Sequence, residues 1–487
     1  MTRIWPSIPQ AMANARRTAH APLGWDPVNH VLSRLAFGPT VATRHYVSVN
    51  GVSAWYRQQV AAGAAYSGYR GSPAVAVCGP LLSKTSVQVV ALKNSGAVHE
   101  WDSTGQLCRV TLGLQAWSAA QMYETLVDFF SNHLNVTSSH DVWTTRHTYD
   151  RDVIRKHAFG SFTEMLLASA RHPSMLTYLN LAQSTKQSVN ENYGRELLEL
   201  HTVGMIYSEA DVTNAAKILT GRTIGTDYRY VYDANKHWVG GVSVLGFTHA
   251  NDTAAGGEAA ADALIRYLAT HPATAQHLAQ KMCLRYVSDN PSAALVSALA
   301  QAYLDSGTRI EPMLHTMLRS DEFWQSRGQK VRRPTENLIA TIRALGTRPA
   351  SMDKALRTME WSARAMGHAP LEWTAPTGYP DVAAAWRSSS TLVTEWTMHI
   401  ALADSWWDGF ARLNKTSLYG RTPHTSGEAI TLLTRRLVGM TYSATHNAAL
   451  QHMLGEPAST PMAKSRLQAL IGPMIAVILD SPHHALR

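Results

Sequence analysis

The residues best suited to chemistry lie between Val127 and Gly221, in the stretches DFFSNHLNV, YDRDVIRKHAFGSF, NENYGRELLELHTVG and EADVTNAAKILTG. Here His, Asn, Arg and Glu recur inside apolar runs, where their burial requires partners. In the first stretch Met122, Leu126, Phe129, Phe130 and Leu134 form the apolar side of a helix, with Asn132 and His133 near its end. An enclosed His133 suits a general base, a metal ligand or a haem neighbour. A core histidine bonded to a backbone carbonyl is the plainer reading of this stretch taken alone. In the second, Arg151 and Arg155 are four apart on one face and His157 lies on another. Two such arginines can clamp an anionic group. The alternative is a solvated ion-pair face with Asp150, Asp152 and Lys156.

In the third stretch Ser188 and Glu191 have the spacing of a capping box. Glu191, Arg195 and Glu199 form a stripe, while Asn192, Glu196 and Glu199 share the neighbouring face. Carboxylates three apart on a helix can hold a divalent metal, as in helical bundles with inward-pointing ligands. His201 falls opposite Glu199. In the fourth, Ser208 and Asp211 read as a helix start, where the dipole favours an acid. His237, on a loop beside Asp233 and Trp238, is a ligand-contact candidate. The candidate set is therefore His133, Arg155, His157 and Glu196 for catalysis. Asn132, Arg151, Asn192, Arg195, His201 and His237 are candidates for ligand contact, and Glu196, Glu199 and His133 for a metal. The competing reading makes these polar groups internal hydrogen-bond networks that fix helix register in a non-catalytic binding or scaffold protein.

The elements that position them are mostly helices. The chain has 487 residues, 45% hydrophobic and 16% charged, which is the composition of a globular protein. Its net charge of +9 is spread without a basic block, so no nucleic-acid footprint is expected. No apolar run is long enough to span a bilayer. An apolar export core is missing from MTRIWPSIPQAMANARR, so a cytoplasmic location is the expectation. Three cysteines are too few for a disulfide scaffold, although a Cys78–Cys108 bridge could close the segment between them. GxGxxG after a strand, GxxxxGK[ST], HExxH, GxSxG and paired CxxC motifs do not occur.

Residues 1–29 read as a polar N-terminal arm, 30–396 as a mostly helical core, and 397–487 as C-terminal helices packed on it. Two stretches break the helical pattern. AVAVCG, SVQVVAL, AVHEW and CRVTL, within about 71–113, are short and β-branched and predict a small strand insertion. YRYVYD and VSVLGF, within about 222–247, predict a hairpin or loop around KHWVGG. The predicted fold class is mainly α: a large multi-helix, bundle-like domain with two small β insertions.

Together with KVRRPTENLIATIRALG, HPATAQHLAQKMCLRYVSDNP and PTGYPDVAAAW, these motifs resemble the large bacterial family catalogued as domain of unknown function 1800, from about His30 to about Trp396. That resemblance carries no established activity. It implies that many relatives are exported. Where that family carries an acidic residue and a lysine near the loop histidine, this chain has Trp238 and Val242, and the predicted strand insertion lies outside the shared pattern. FFSNHL and NENYGRELLELHT are also locally similar to two helices of animal-type haem peroxidases, but Leu134 stands where those carry aspartate. The sequence thus points to an enzyme with a buried His/Arg/Asn/Glu pocket, acting on a small molecule or protein that the residues do not identify. A divalent metal is the cofactor the pattern accommodates; haem is not favoured.

Overall fold

Helix starts follow local capping chemistry. Ahead of helix Pro27–Arg34, Asp26 accepts the Val28 amide at 2.9 Å. Thr40 and Thr43 cap each other ahead of Val41–Asn50, and Ser208 and Asp211 do the same ahead of Glu209–Leu219. The computed structural model describes residues 26–65, 72–138 and 140–487, together with Ile8 and Tyr69. Most of the expected N-terminal arm therefore lies outside the described residues, and Pro27–Asn29 already belong to the first helix.

The described chain is mainly helical. Its two sheets are both antiparallel two-stranded hairpins, Arg222–Ile224 with Tyr230–Tyr232 and Val242–Val244 with Phe247–His249. They occupy the second predicted β stretch. The first expectation, a strand insertion over about 71–113, is corrected: its described residues form helices Pro73–Cys78, Ser86–Asn94 and Asp102–Trp117. Thr85 and Gln88 make a reciprocal cap, and Leu107, Val110 and Leu114 recur at helical spacing and are buried. A β-branched residue costs a helix only about 0.5 kcal/mol. Burying one apolar side chain returns about 1.5–3 kcal/mol, so burial decides the conformation. Cys78 and Cys108 are free, buried thiols. Ser188 is not the predicted cap either: helix Asn192–Glu196 starts from Glu191, whose carboxylate accepts the Thr213 hydroxyl at 2.6 Å.

Buried apolar side chains form two clusters. One gathers Ile8 and residues between Val31 and Trp324 and contains helix Gln121–His133. The other joins helix Asp102–Trp117 to Pro334–Leu345, Met352–Ala365, Ser426–Leu437 and Lys464–Leu479. The stretch misread as strands is thus packed against the C-terminal third of the chain. Close approach between the clusters is allowed by Gly38, whose φ of +104° suits glycine and whose absent Cβ would lie 3.2 Å from the Ala340 Cβ. Arg34 bridges distant segments from a fully buried position. Its guanidinium donates to the carbonyls of Tyr286, Val287, Ser326 and Arg487 at 2.5–3.0 Å. Arg34→Met takes a donor from all four carbonyls; those of Ser326 and Arg487 keep the amides of Gln329 and Lys330, whereas those of Tyr286 and Val287 lose their bonds to Arg34 outright. The substitution is expected to lower the unfolding free energy by about 3 kcal/mol or more, read as a fall in the urea midpoint at unchanged slope.

Candidate functional site

Helix Gln121–His133 is amphipathic and largely buried, and Glu124, Asp128 and Asn132 stand four apart along its polar side. This side faces a small enclosed cavity of about 20 Å³. Carboxylates Glu124, Asp128, Asp150 and Glu336 line it together with Arg333, His368 and Tyr379. A cavity of that size holds about one water molecule. Five buried polar atoms on residues lining it, Thr111 Oγ1, Gln115 Oε1, Ser131 Oγ and Arg333 Nε and Nη1, have no hydrogen-bond partner among the described residues.

Behind the cavity lies a charge knot. Asp128 accepts from Arg285 Nη2 at 3.1 Å and from Arg333 Nη2. Glu336 pairs with Arg285 Nη1 at 2.5 Å, Arg333 Nη2 at 3.0 Å and Arg487 Nη2 at 3.4 Å. Asp381 lies 3.6 Å from Arg333 and 3.8 Å from Arg285. Burial pushes both carboxyls upward, but the guanidiniums outweigh it. Arg333 and Arg285 hold Asp128 below the usual carboxylate range, and Arg285, Arg487 and Arg333 hold Glu336 well below it. Glu124 moves the other way. Its burial is the largest influence and raises it, although Arg155 Nη1 sits 3.1 Å from both of its oxygens. Arg155 also donates to Asp150 at 2.7 Å, so one guanidinium is shared by two carboxylates and the surplus negative charge favours a proton on Glu124.

The Asp150–Arg155 contact depends on backbone form. Residues Asp150–Arg155 make a π-helical turn, in which positions five apart come together, and a second such turn spans Leu197–His201. A reading at 3.6 residues per turn pairs Arg151 with Arg155. The structure separates them: Arg151 binds Asp152 and the carbonyls of Leu82 and Lys84, half-buried and away from Arg155.

The cavity is covered by residues 371–380, LEWTAPTGYP, and the NHLN segment holds this cover. Asn132 Oδ1 accepts the Tyr379 amide at 3.0 Å; Asn135 donates to the carbonyls of Trp373 and Ala375 at 3.1 and 2.7 Å. The Ser138 amide binds the Leu371 carbonyl at 2.8 Å. Gly378, at φ +68°, has no room for a side chain: a Cβ would lie 2.2 Å from the Asn132 carbonyl oxygen. His368 stacks edge-on against Tyr379 and Trp386. Its Nδ1 accepts the Thr335 amide at 3.2 Å, which places its proton on Nε2.

The remaining predicted residues go elsewhere. His133 is buried on the far side of its helix, with Nε2 3.2 Å from the His201 carbonyl and its ring against Phe129 and Phe162. His201 is buried with neither ring nitrogen bonded among the described residues. Burial holds His133 well below its ordinary value and His201 down to about 3, with Lys281 and His277 adding to both. His157 is half-buried, lowered by burial and by Lys156. Arg195 forks onto Glu209 at 2.8 and 2.6 Å near the surface, and Glu199 accepts the Tyr207 hydroxyl. Glu196 is half-buried and raised by burial and by Glu199. Asn192 donates its amide to Asn190. His237 is fully buried, Nδ1 2.8 Å from the Thr220 carbonyl and Nε2 2.9 Å from Asn251.

Of the predicted residues, then, only Asn132 and Arg155 belong to the cavity's walls and backing. Among the described residues, no three or more His, Cys, Asp or Glu side chains group as they would around a metal ion, and Glu196, Glu199 and His133 are not brought together. Glu124, Asp128, Arg285, Arg333, Glu336 and His368 escaped the sequence reading. The signal for the first two was present as polar residues every fourth position through an amphipathic helix.

The profile of one protein family, described as a protein of unknown function (DUF1800), matches residues 30–486. The match runs through 71–113 and through the C-terminal helices. No curated protein and no solved structure matches the chain. No helix among the described residues is long and apolar enough to cross a membrane.

Two measurements follow from this geometry. Asn132→Ala removes the acceptor for the Tyr379 amide, so limited proteolysis is expected to cut within 371–380 faster than in the parent. Buried histidines with depressed values stabilise the fold above the unfolded-state value of about 6.5, and that stability is lost as the pH falls below it. Asp128 and Glu336, also depressed, extend the loss below the ordinary carboxylate range, while the raised Glu124 opposes it. The urea midpoint is expected to fall between about pH 7 and about pH 5, and His201→Phe to flatten that fall by up to about 1.4 kcal/mol per pH unit.

Proposed function

This chain belongs to the DUF1800 family of proteins of unknown function, and from that premise we propose that it is an enzyme working by general acid–base chemistry in the cavity beneath residues 371–380. One observation carries the reading. Glu124 and Asp128, one helical turn apart and lining the same cavity, are pushed in opposite directions, the first toward holding a proton and the second toward staying ionised. Two carboxyls separated in this way divide the roles of acid and charged partner. Glu124 donates a proton to the substrate, and Asp128, fixed by Arg285 and Arg333, stabilises positive charge that develops beside it. His368 Nε2–H supplies a hydrogen bond. The substrate is a small polar molecule admitted when the 371–380 segment lifts, because the closed cavity holds no more than about one water.

The alternative is a non-catalytic binding or scaffold protein, favoured by a different observation. Each of Glu124, Asp128, Asp150 and Glu336 is already bonded to a guanidinium, as in a network that fixes packing. Glu124→Gln and Asp128→Asn separate the two. For the enzyme, infrared difference spectra carry a carboxyl band that titrates above the ordinary carboxylate range and that Glu124→Gln removes. A panel of chromogenic esters, glycosides and phosphate esters then includes one class whose turnover falls about 100-fold or more in Glu124→Gln at little cost in stability, and in Asp128→Asn assayed well below that variant's own melting temperature. Absence of the band and of any turnover, with both variants melting many degrees lower, supports the scaffold.

A further inference from the structure

A second cleft opens beyond the other end of helix Gln121–His133, and its chemistry is opposite. Its volume is about 390 Å³, within the range of small-molecule pockets. Trp55 and Trp117 contribute aromatic wall, and Gln59 and Gln121 line it as well. Its charged lining residues are three arginines, Arg343, Arg348 and Arg436; among the described residues no carboxylate lines it.

The arginines are not neutralised from behind. Arg343 is buried, and its hydrogen bonds go to main-chain carbonyls, Nε to Gly38 and Nη1 to Ala116, both at 2.8 Å. Burial alone, with no acid opposing it, pulls its guanidinium down to about 9. Arg436 Nη1 is buried with no partner among the described residues. Arg436 is lowered to about 10 by burial and by the neighbouring charge of Arg44. No ion pair joins Arg343, Arg348 or Arg436 to an acid among the described residues. A buried cation without a counter-charge is costly to keep, and the guanidinium N–H groups not taken by main-chain carbonyls, those of Arg343 Nη2 and Arg436 Nη1 among them, suit an oxyanion. Other buried arginines line no such open cleft: Arg155, Arg285 and Arg333 meet carboxylates, and Arg34 is taken up by four main-chain carbonyls.

We propose that this cleft binds a small organic anion, a carboxylate or phosphate monoester carrying a flat apolar group, with the oxyanion between Arg343 and Arg436 and the apolar group against Trp117 and Trp55. Gln59 and Gln121 do not contribute side-chain amides freely. Gln59 donates to the Ala119 carbonyl and accepts the Met122 amide; Gln121 donates to Gln115 and Ser118 carbonyls and accepts the Phe37 amide. They brace the cleft wall, and recognition falls to the arginines and tryptophans.

The test is titration of the full chain with phenyl phosphate and with benzoate, followed by calorimetry, against benzyl alcohol as the uncharged control and inorganic phosphate as the control without a ring. The expected result is saturable binding of at least one aromatic anion, tighter than inorganic phosphate, with none for benzyl alcohol. Arg436→Gln is expected to weaken that binding about tenfold or more at an unchanged melting temperature. Arg343→Lys, which keeps the charge but loses the fork, is expected to weaken it as well. Glu124→Gln and Asp128→Asn are expected to leave it intact, so failure of the acid–base reading does not touch this one. No saturable binding, equal binding of inorganic phosphate, or full affinity in Arg436→Gln each overturns the proposal.

Discussion

Two apolar clusters meet across one buried electrostatic joint, and the architecture turns on it. Asp128 belongs to the first cluster's central helix, Arg285 to a second helix of that cluster, and Arg333 and Glu336 to the start of the helix that founds the other. Removing one member leaves a buried charge unpaired at a cost of about 3–5 kcal/mol, whereas the intact set gives little net stability over an apolar substitute. Such a joint therefore specifies position more than it strengthens the fold. It tells two large hydrophobic surfaces, each able to slide, how they register.

The joint also explains the chemistry beside it. Arginines held in place by several carboxylates keep Asp128 and Glu336 ionised in a buried site. The same scheme leaves Glu124 with half a guanidinium and a share of the negative charge. Opposite displacements on one helix face arise from counting partners, with no special residue required. The 371–380 cover seals the cavity because Asn132 and Asn135 hold its backbone, and because Gly378 lets two main chains touch. The proposed acid–base roles fall on the same atoms that pack the joint, so the two are separated by variants that change one property at a time.

The two cavities show how far a local charge count can differ within one fold. Around the smaller, carboxylates and guanidiniums balance closely. Along the larger, cations stand without acids and aromatic rings stand beside them. Both lie against the same helix, so its sequence carries polar groups at one end for each: Gln121 toward the cleft, Glu124, Asp128 and Asn132 toward the cavity.

The sequence by itself determined the helical class, the family, the presence of strands within about 222–247 and the caps at Ser208 and Asp211, because these rest on local periodicity, local hydrogen bonds and long specific motifs; it did not give the pairing, which makes two separate hairpins instead of one around KHWVGG. It also marked the polar helices as the place to look. What it could not decide was which polar residues meet. The Asp150–Arg155 pair needs a π-helical turn, invisible to a 3.6-residue count. His133 turned away from Asp128 because the apolar side of the helix, not the polar one, carries it. Arg285, Arg333, Glu336 and His368 lie more than a hundred residues from Asp128, and each alone resembles an ordinary surface charge or core histidine. The strands expected over 71–113 became helices for the same reason: burial against residues 338–479 outweighs a weak intrinsic preference. Contacts between distant segments carry energies several times larger than local propensities, so tertiary structure decided which polar residues meet, where sequence could only suggest their neighbourhood.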